Sequence, residues 1–344
     1  MTLSHRARRE WRIFLWVSVT TAVISAGFGY RVAPEGQPEL RSALSGVLTS
    51  LVIATPILLF QLKGERAGRL RRLRRLPLAL YFAVKVLFYF VVIVGGLMVS
   101  RYFFWMDNPP EFFAFDGVFR RSIVFSIAMA VVGNLAFEMV GLLGFGTLRN
   151  LLTGRYVQPK RELRAFLLID MRDSTGVAER LGPVRFHELL NHFFRDVADA
   201  ALECEAEIHK YVGDEAILTW RGAEALADGD CLRCPFVARD LIERRRNEYT
   251  TRYGAMPSFR AALHYGEIVA GEIGDVRREI AYVGDTLNVA ARLLDAAKQL
   301  GREVLVSDEL LAQAALPPGL RAEKLPALSV RGRTAPLGVS AVSA

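Results

Sequence analysis

The chain divides by the length of its apolar runs. Between Arg12 and Arg31 lie 18 residues without a charge, and between Arg41 and Lys63 lie 21. Between Arg75 and Arg101 lie 25 whose only charge is Lys85, and between Arg121 and Arg149 lie 27 whose only charge is Glu138. About 20 apolar residues carry a helix across the roughly 30 Å hydrocarbon core of a bilayer, where backbone polar groups must be bonded within the helix. The pattern predicts four transmembrane helices within residues 1–148.

Beyond residue 148 the runs shorten to strand and helix lengths. Residues 149–161 read as a cytoplasmic linker that extends the fourth helix as far as Gly154 and breaks before Pro159. LRAFLLIDM is a buried strand ending at Asp170 and Met171. A helix follows, opened by the capping residues Asp173, Ser174 and Thr175 and interrupted near Gly182-Pro183. AEIHKYVGDEAILTW reads as two short strands around Gly213-Asp214, with a helix after it over roughly residues 233–248. Then come a strand in SFRAALHYG, a hairpin through VAGEIG, a strand near EIAYVG, the helix TLNVAARLLDAAKQL and the strand EVLVS. Interleaved strands and helices over residues 162–344 predict one α/β domain.

Charge adds topology. The formal net charge of +8 over 344 residues looks like a nucleic-acid binder's, but residues 1–160 hold 20 Lys/Arg against 8 Asp/Glu and residues 161–344 hold 24 against 28. The folded domain is therefore slightly acidic, which speaks against nucleic acid as its partner. Arg6, Arg8, Arg9 and Arg12, and the seven cations from Lys63 to Arg75, mark two cytoplasmic segments, since short cytoplasmic loops carry the Lys/Arg excess. Both termini and the α/β domain are then expected in the cytoplasm of a protein integral to the inner or plasma membrane. A cleaved signal peptide ending near Ser25-Ala26-Gly27 is an alternative for the first run, and leaves the C-terminal half on the same side.

Lys85 and Glu138 are expected at similar depth, either as an ion pair joining two helices or as a snorkelling lysine and a protonated or polar-facing glutamate. None of the five histidines lies in a spanning run, which excludes a membrane haem held by paired histidines. The three cysteines lie in the cytoplasmic half. Cys231 and Cys234 form one CLRC spacing, short of a zinc site by two ligands and conceivable as a redox pair; the plainer reading is small residues near a helix start.

Asp170 at the end of a buried strand and Asp214 in a hairpin turn can meet at one edge of a sheet. Two adjacent carboxylates are unfavourable without a cation between them, and Mg²⁺ takes one or two carboxylates with water and phosphate oxygens. Taken singly, each is better read as a cap or a turn residue. FLLIDMRDST, KYVGDEAIL, YVGDTLNVAARL and SVRGR, in this order and spacing, together resemble the catalytic domain of the class III nucleotidyl cyclases, over residues 162 to about 340.

The resemblance implies a ferredoxin-like α/β core and a head-to-tail homodimer with active sites at the subunit interface. It implies Asp170 and Asp214 as ligands of two Mg²⁺ or Mn²⁺ per active site, with the Met171 carbonyl also touching a metal. It casts Asn288 as the residue that orients the ribose, Arg292 as the one that neutralises the α-phosphate, and Arg331 as a contact to the terminal phosphates. Backbone N–H groups around Asp173, Ser174 and Thr175 are suited to phosphate oxygens. Asp173 stands where the family usually has Gly or Phe, adding a carboxylate. Lys210 matches the purine-reading lysine of adenylyl cyclases. The second base-reading position, beside Tyr282, is Ala281, whose methyl group cannot bond to an adenine amino group.

These features imply a membrane-integral adenylyl cyclase that converts ATP into 3′,5′-cyclic AMP and pyrophosphate for signal transduction. A guanylyl or dual-specificity cyclase is the alternative that Ala281 leaves open. A non-catalytic membrane receptor with a cyclase-like dimerisation domain is disfavoured by the joint presence of Asp170, Asp214, Asn288 and Arg292. A diguanylate cyclase is disfavoured by the lack of GG before the GDE turn.

Overall fold

The computed structural model describes residues 5–32, 38–62, 77–104, 117–227, 229–276, 278–328 and 336–344. The chain forms two units, Met1–Leu142 and Leu143–Ala344.

The first unit holds α1 (His5–Arg31), α2 (Glu39–Leu62), α3 (Leu78–Phe104) and α4 (Gly117–Leu143). Each contains a stretch long and apolar enough to cross a membrane, and at most 33% of any such stretch is buried inside the protein. Large apolar side chains such as Trp16, Phe90 and Leu142 face outward, a distribution that suits a lipid solvent and not water. The polar groups turn inward. Lys85, buried, pairs with Glu138 at 2.9 Å, so the ion-pair alternative is the one the structure adopts. One turn further on, Gln61 Nε2 donates to Tyr89 Oη at 2.7 Å and to Asn134 Oδ1 at 3.2 Å. The basic loop at residues 63–76 lies outside the described residues, as does the loop at 105–116.

The fourth helix does not continue to Gly154. It ends before Gly144, whose φ of 80° breaks the helix, and a separate helix α5 (Phe145–Leu152) follows as part of the second unit.

The second unit is built on one mixed sheet: β1 (Lys160–Met171), β2 (Glu207–Val212), β3 (Glu215–Arg221), β4 (Phe259–Ile273), β5 (Glu279–Val283), β6 (Val304–Ser307), β7 (Arg321–Leu328) and β8 (Leu337–Ser343). The order is β2-β3-β1-β4-β6-β8-β7, with β5 paired to β4. β2, β3, β1 and β4 pair antiparallel with one another, the arrangement of a ferredoxin-like core, and β4 pairs parallel with β6. The helices are α6 (Ser174–Leu181), α7 (Pro183–Glu203), α8 (Gly222–Leu226), α9 (Asp230–Arg244), α10 (Arg246–Tyr253), α11 (Asp285–Gln299) and α12 (Asp308–Leu311).

Strand alternation assigns the layers. Ala165, Leu167 and Ile169 of β1 pack with Leu189, Phe193 and Val197 of α7 and Leu232 of α9. Phe166 and Leu168, on the other face, pack with Val289 and Leu293 of α11 and with Tyr156 of the linker. Asp170 continues this second series.

Three expected elements differ. β1 begins at Lys160, so the linker is short and its Tyr156 is part of the core. The helix expected at 233–248 is two, parted at Arg245, whose guanidinium pairs with Asp196 and with Asp199. β4 runs unbroken to Ile273, so VAGEI is strand, and the turn of the expected hairpin to β5 begins at Gly274 with φ 91°. Gly266 and Gly271 serve close approach instead. A Cβ on the first would lie 2.7 Å from Thr286 Oγ1 of α11, and one on the second 3.3 Å from Pro159 of the linker.

Candidate active site

Asp170 lies on the α11 face of β1, opposite Glu215 of β3 and Arg260 of β4. The β2–β3 turn folds back so that the Met171 N–H donates to the Asp214 carbonyl at 3.4 Å. The two sequence-predicted carboxylates thus lie side by side at the sheet edge. Burial, then the Asp214 charge, pushes Asp170 up to about 6, although Lys298 and Arg260 pull it down. Glu215 is pushed up to about 7, first by burial and then by Asp170, Asp214 and Asp295. Both shifts have the physical signature of crowded carboxylates short of positive charge.

No group of three or more His, Cys, Asp or Glu closes around a point among the described residues. The donor set is two carboxylates and the adjoining main chain, which suits Mg²⁺ or Mn²⁺ completed by water and phosphate and does not suit zinc. The three cysteines are buried, and burial pushes the Cys231 thiol up to about 12. That favours the reading of these residues as small core groups.

On α11, Thr286 Oγ1 donates to the Glu267 carbonyl at 2.7 Å and ties the helix start to β4. Val289, Ala290, Leu293 and Leu294 are buried. Asn288, Arg292 and Asp295 follow one another at i, i+4 and i+7 along the flank of that buried face. Asn288 is exposed, with Nδ2 3.5 Å from the Gly284 carbonyl. Arg292 Nη1 is buried without a hydrogen-bond partner among the described residues. A charged donor desolvated and left unpaired costs free energy until an anion meets it.

The positions expected to read the base lie together. The His209 and Tyr282 rings are 4.5 Å apart, and Lys210 and Ala281 are their chain neighbours, Lys210 exposed and Ala281 half-buried. Burial, then Lys210 and Arg164, lowers His209 to about 4, so its imidazole is neutral at physiological pH. Tyr282 also packs edge-on to Phe166, at 5.6 Å. Phe166 lies four residues before Asp170, about 13 Å along an extended strand.

Asp173 differs from expectation. It has φ 52° and makes no capping hydrogen bond; its carboxylate lies against Gly176 and pairs with Arg180 at 3.4 Å. Ser174 and Thr175 are the first residues of α6. Asp173 therefore sets a negative charge at a helix start that would otherwise attract phosphate. Arg331 lies outside the described residues, between β7 and β8.

Sequence reasoning missed the group behind the positions expected to read the purine. Arg164, fully buried, donates to Tyr156 Oη at 2.9 Å and to Glu162 at 3.1 Å, pairs with Glu207 at 3.4 Å, and lies 4.6 Å from the Tyr282 ring. Glu207 also approaches Arg221 and Arg149, and Arg221 donates to Asn150 of α5 at 3.0 Å. An arginine inside an otherwise apolar strand was the available signal, because a buried guanidinium must be paired.

Residues 157–339 match the adenylate and guanylate cyclase catalytic domain family. The chain is 35% identical over 303 residues to Adenylate cyclase 2 of Rhizobium meliloti (strain 1021), covering 88% of this chain and 84% of that protein. It is 28% identical over 153 residues to Adenylate cyclase 1 of the same organism, covering 43% of this chain and 23% of that one. A solved bacterial light-regulated adenylyl cyclase shares the fold at 16% identity, with a TM-score of 0.53 and 64% of each chain covered. The chain belongs to the adenylate and guanylate cyclase family, the class III nucleotidyl cyclases. It is an enzyme, a phosphorus–oxygen lyase, with four apolar helices ahead of its catalytic domain.

Proposed function

We propose that the protein is a membrane-integral adenylyl cyclase that converts ATP into 3′,5′-cyclic AMP and pyrophosphate as a homodimer, with both termini and the catalytic domain in the cytoplasm. The observation that carries the reading is the carboxylate pair Asp170–Asp214, crowded enough to hold Asp170 at about 6 at the edge of a cyclase sheet.

Asp170 and Asp214, with the Met171 carbonyl, would hold two Mg²⁺ or Mn²⁺. Bound there, the ions supply acidification of the ribose 3′-hydroxyl and charge neutralisation on the phosphates. The protein's own groups do the rest. Asn288 fixes the ribose, and Arg292 turns its unpaired Nη1 to the α-phosphate, where charge grows during in-line attack. Arg331 takes the terminal phosphates, and the N–H groups at Ser174 and Thr175 take further phosphate oxygens in contacts weakened by the adjacent Asp173 carboxylate, which Arg180 partly neutralises. Lys210 donates to a purine ring nitrogen that is an acceptor in adenine and carries hydrogen in guanine, which favours ATP. Ala281 adds no hydrogen bond, so adenine selection falls on Lys210 and on main-chain groups near Tyr282.

The positions on α11 and those beside Tyr282 stand apart from the carboxylates of the same chain. Asn288 precedes Asp295, a residue whose charge reaches Asp170, by two helical turns, about 10 Å. For Asn288 and Lys210 this separation supports a site in which the carboxylates of one subunit face these residues of the other, the arrangement the family resemblance implies for Arg292 as well. Turnover assays of the purified full-length protein test the proposal: cyclic AMP forms from ATP with Mn²⁺, and Lys210→Glu cuts that rate on the order of tenfold or more. No cyclic product from ATP or GTP would contradict the enzymatic reading, and cyclic GMP as the main product would favour the guanylyl alternative that Ala281 leaves open.

A further inference from the structure

β2 carries one residue more than the strand it pairs with. Ile208 stands opposite Leu218 of β3 and Lys210 opposite Ile217, so His209 is the extra residue of a β-bulge. Residues directly opposite in a ladder share a face of the sheet, and one added residue turns every later side chain to the other face. The consequence is visible on both faces. Ile217 stands opposite Leu168 and belongs with it to the core against Val289 and Leu293 of α11, the face that Asp170 continues. Lys210 is therefore set on that face, and it is exposed there. Tyr211 stands opposite Ala216, and its ring lies 4.4 Å from that of Phe194 of α7, on the other face. Without the extra residue Lys210 would take the place opposite Ala216, toward the core beneath α7.

A bulge leaves the ladder locally broken, so it stays in place only where something else holds it. The His209 ring lies 4.5 Å from the Tyr282 ring, tilted by 39°. Tyr282 in turn packs edge-on to Phe166 at 5.6 Å and lies 4.6 Å from the buried Arg164 guanidinium. Arg164 Nη1 also pairs at 3.4 Å with Glu207, two residues before His209. One side chain of β1 thus grips β2 at Glu207 and, through Tyr282, at His209. Burial keeps the imidazole neutral, so what it supplies is shape and not charge.

We propose that His209 is a positioning residue for purine selection: the bulge it forms, held against Tyr282, aims Lys210 at the base. The proposal rests on the reading of Lys210 as the purine contact. Because Ala281 adds no hydrogen bond, the aim of that one ammonium carries the side-chain discrimination between adenine and guanine. His209 acts through Lys210 and not on the reacting atoms.

Steady-state kinetics of the full-length protein with Mn²⁺ and either ATP or GTP test this, with a thermal melt of each variant as the check on folding. His209→Ala should raise the KM for ATP roughly fivefold with kcat changed by less than about twofold, and should lower the preference for ATP over GTP by about the same factor as KM. His209→Phe keeps a ring against Tyr282 and should restore the wild-type preference. Tyr282→Leu removes the other ring while leaving the main chain; it should reproduce the loss, and it serves in place of His209→Ala if that chain does not fold. In a Lys210→Ala background His209→Ala should add nothing, since the group it aims is gone. Wild-type preference in His209→Ala or Tyr282→Leu, beside a lost preference in Lys210→Ala, overturns the proposal alone. A further full loss from His209→Ala in the Lys210→Ala background also overturns it, because the effect then does not pass through Lys210. Lys210→Ala with the wild-type preference overturns the reading of Lys210 itself, and this proposal with it.

Discussion

The two units of this chain solve the placement of charge in opposite ways. In the helical unit large apolar side chains face outward, and Lys85 is buried and paired with the half-exposed Glu138. In the cyclase unit Phe166, Leu167 and Ile169 are inside, and most charge lies on the surface, with Arg164, Asp196 and Asp199 buried and the carboxylate edge half-buried. A charge turned inward is a structural joint when its partner comes with it, as Glu138 does for Lys85. It is a candidate ligand site when no partner meets it among the described residues, as at Arg292 Nη1, or when like charges crowd it, as at Asp170. The difference separates residues whose loss should unfold the protein from residues whose loss should only silence it.

The largest expected effect lies on the silent side. Asp214→Asn should lower cyclase turnover by on the order of 10³-fold, since it removes half of the proposed metal-binding set. Its fold should persist and even gain resistance to heat in the presence of a chelator, because Asp170 and Glu215 lose a repelling neighbour. A thermal melt beside the activity assay separates the two, and a melt lowered along with activity would break the distinction.

Arg164→Met should behave in the opposite way. It leaves Glu162 and Glu207 without their shared cation, and breaking a buried pair costs about 3–5 kcal/mol. Denaturant titration should show that loss in the second unit, followed by loss of activity.

Lys85→Met should destabilise the helical unit more than the double change Lys85→Met with Glu138→Leu. Removing Lys85 leaves Glu138 a lone, half-exposed charge within an apolar spanning helix, whereas removing both leaves an apolar contact. Proteolysis of the reconstituted chain reads this, and a double variant less resistant than the single one would contradict it.

The smallest effect concerns His209. Its folded value of about 4 lies below the unfolded 6.5, so between those values the unfolded chain binds a proton that the folded chain does not. The stability linked to it is complete above about pH 6.5 and is lost as pH falls toward 4, by at most about 3 kcal/mol. Asp170 and Glu215 are shifted upward and act in the opposite sense, so the informative quantity is the difference between wild type and His209→Gln. Amide exchange in β1 and β4 should depend less on pH in the variant across that window.

Much of this was legible in the sequence, for reasons that differ by region. The four long runs are readable because spanning a bilayer demands length and apolarity at once. Asp170 and Asp214 were readable because strand and turn signals place them, and the spacing of four motifs gave Lys210, Asn288 and Arg292 their proposed roles. The end of the fourth helix at Gly144 and the unbroken β4 were not readable. A glycine looks the same in sequence whether it breaks a helix, turns a chain or admits Thr286 and Pro159 to close approach. The Arg164 cluster was hidden because its partners, Tyr156 and Glu207, come together only when the linker folds against the sheet.

The most direct test of the central claim, that each chain carries two half-sites completed by a second copy, is to mix two inactive proteins. Asp214→Asn chains and Arg292→Ala chains, each inactive alone, are co-expressed, the dimers carrying one of each are isolated by two affinity tags, and cyclic AMP formation from ATP with Mn²⁺ is measured. The account predicts one intact site per mixed dimer and so about half the wild-type turnover per dimer. Mixed dimers that form and remain as inactive as either parent would contradict it.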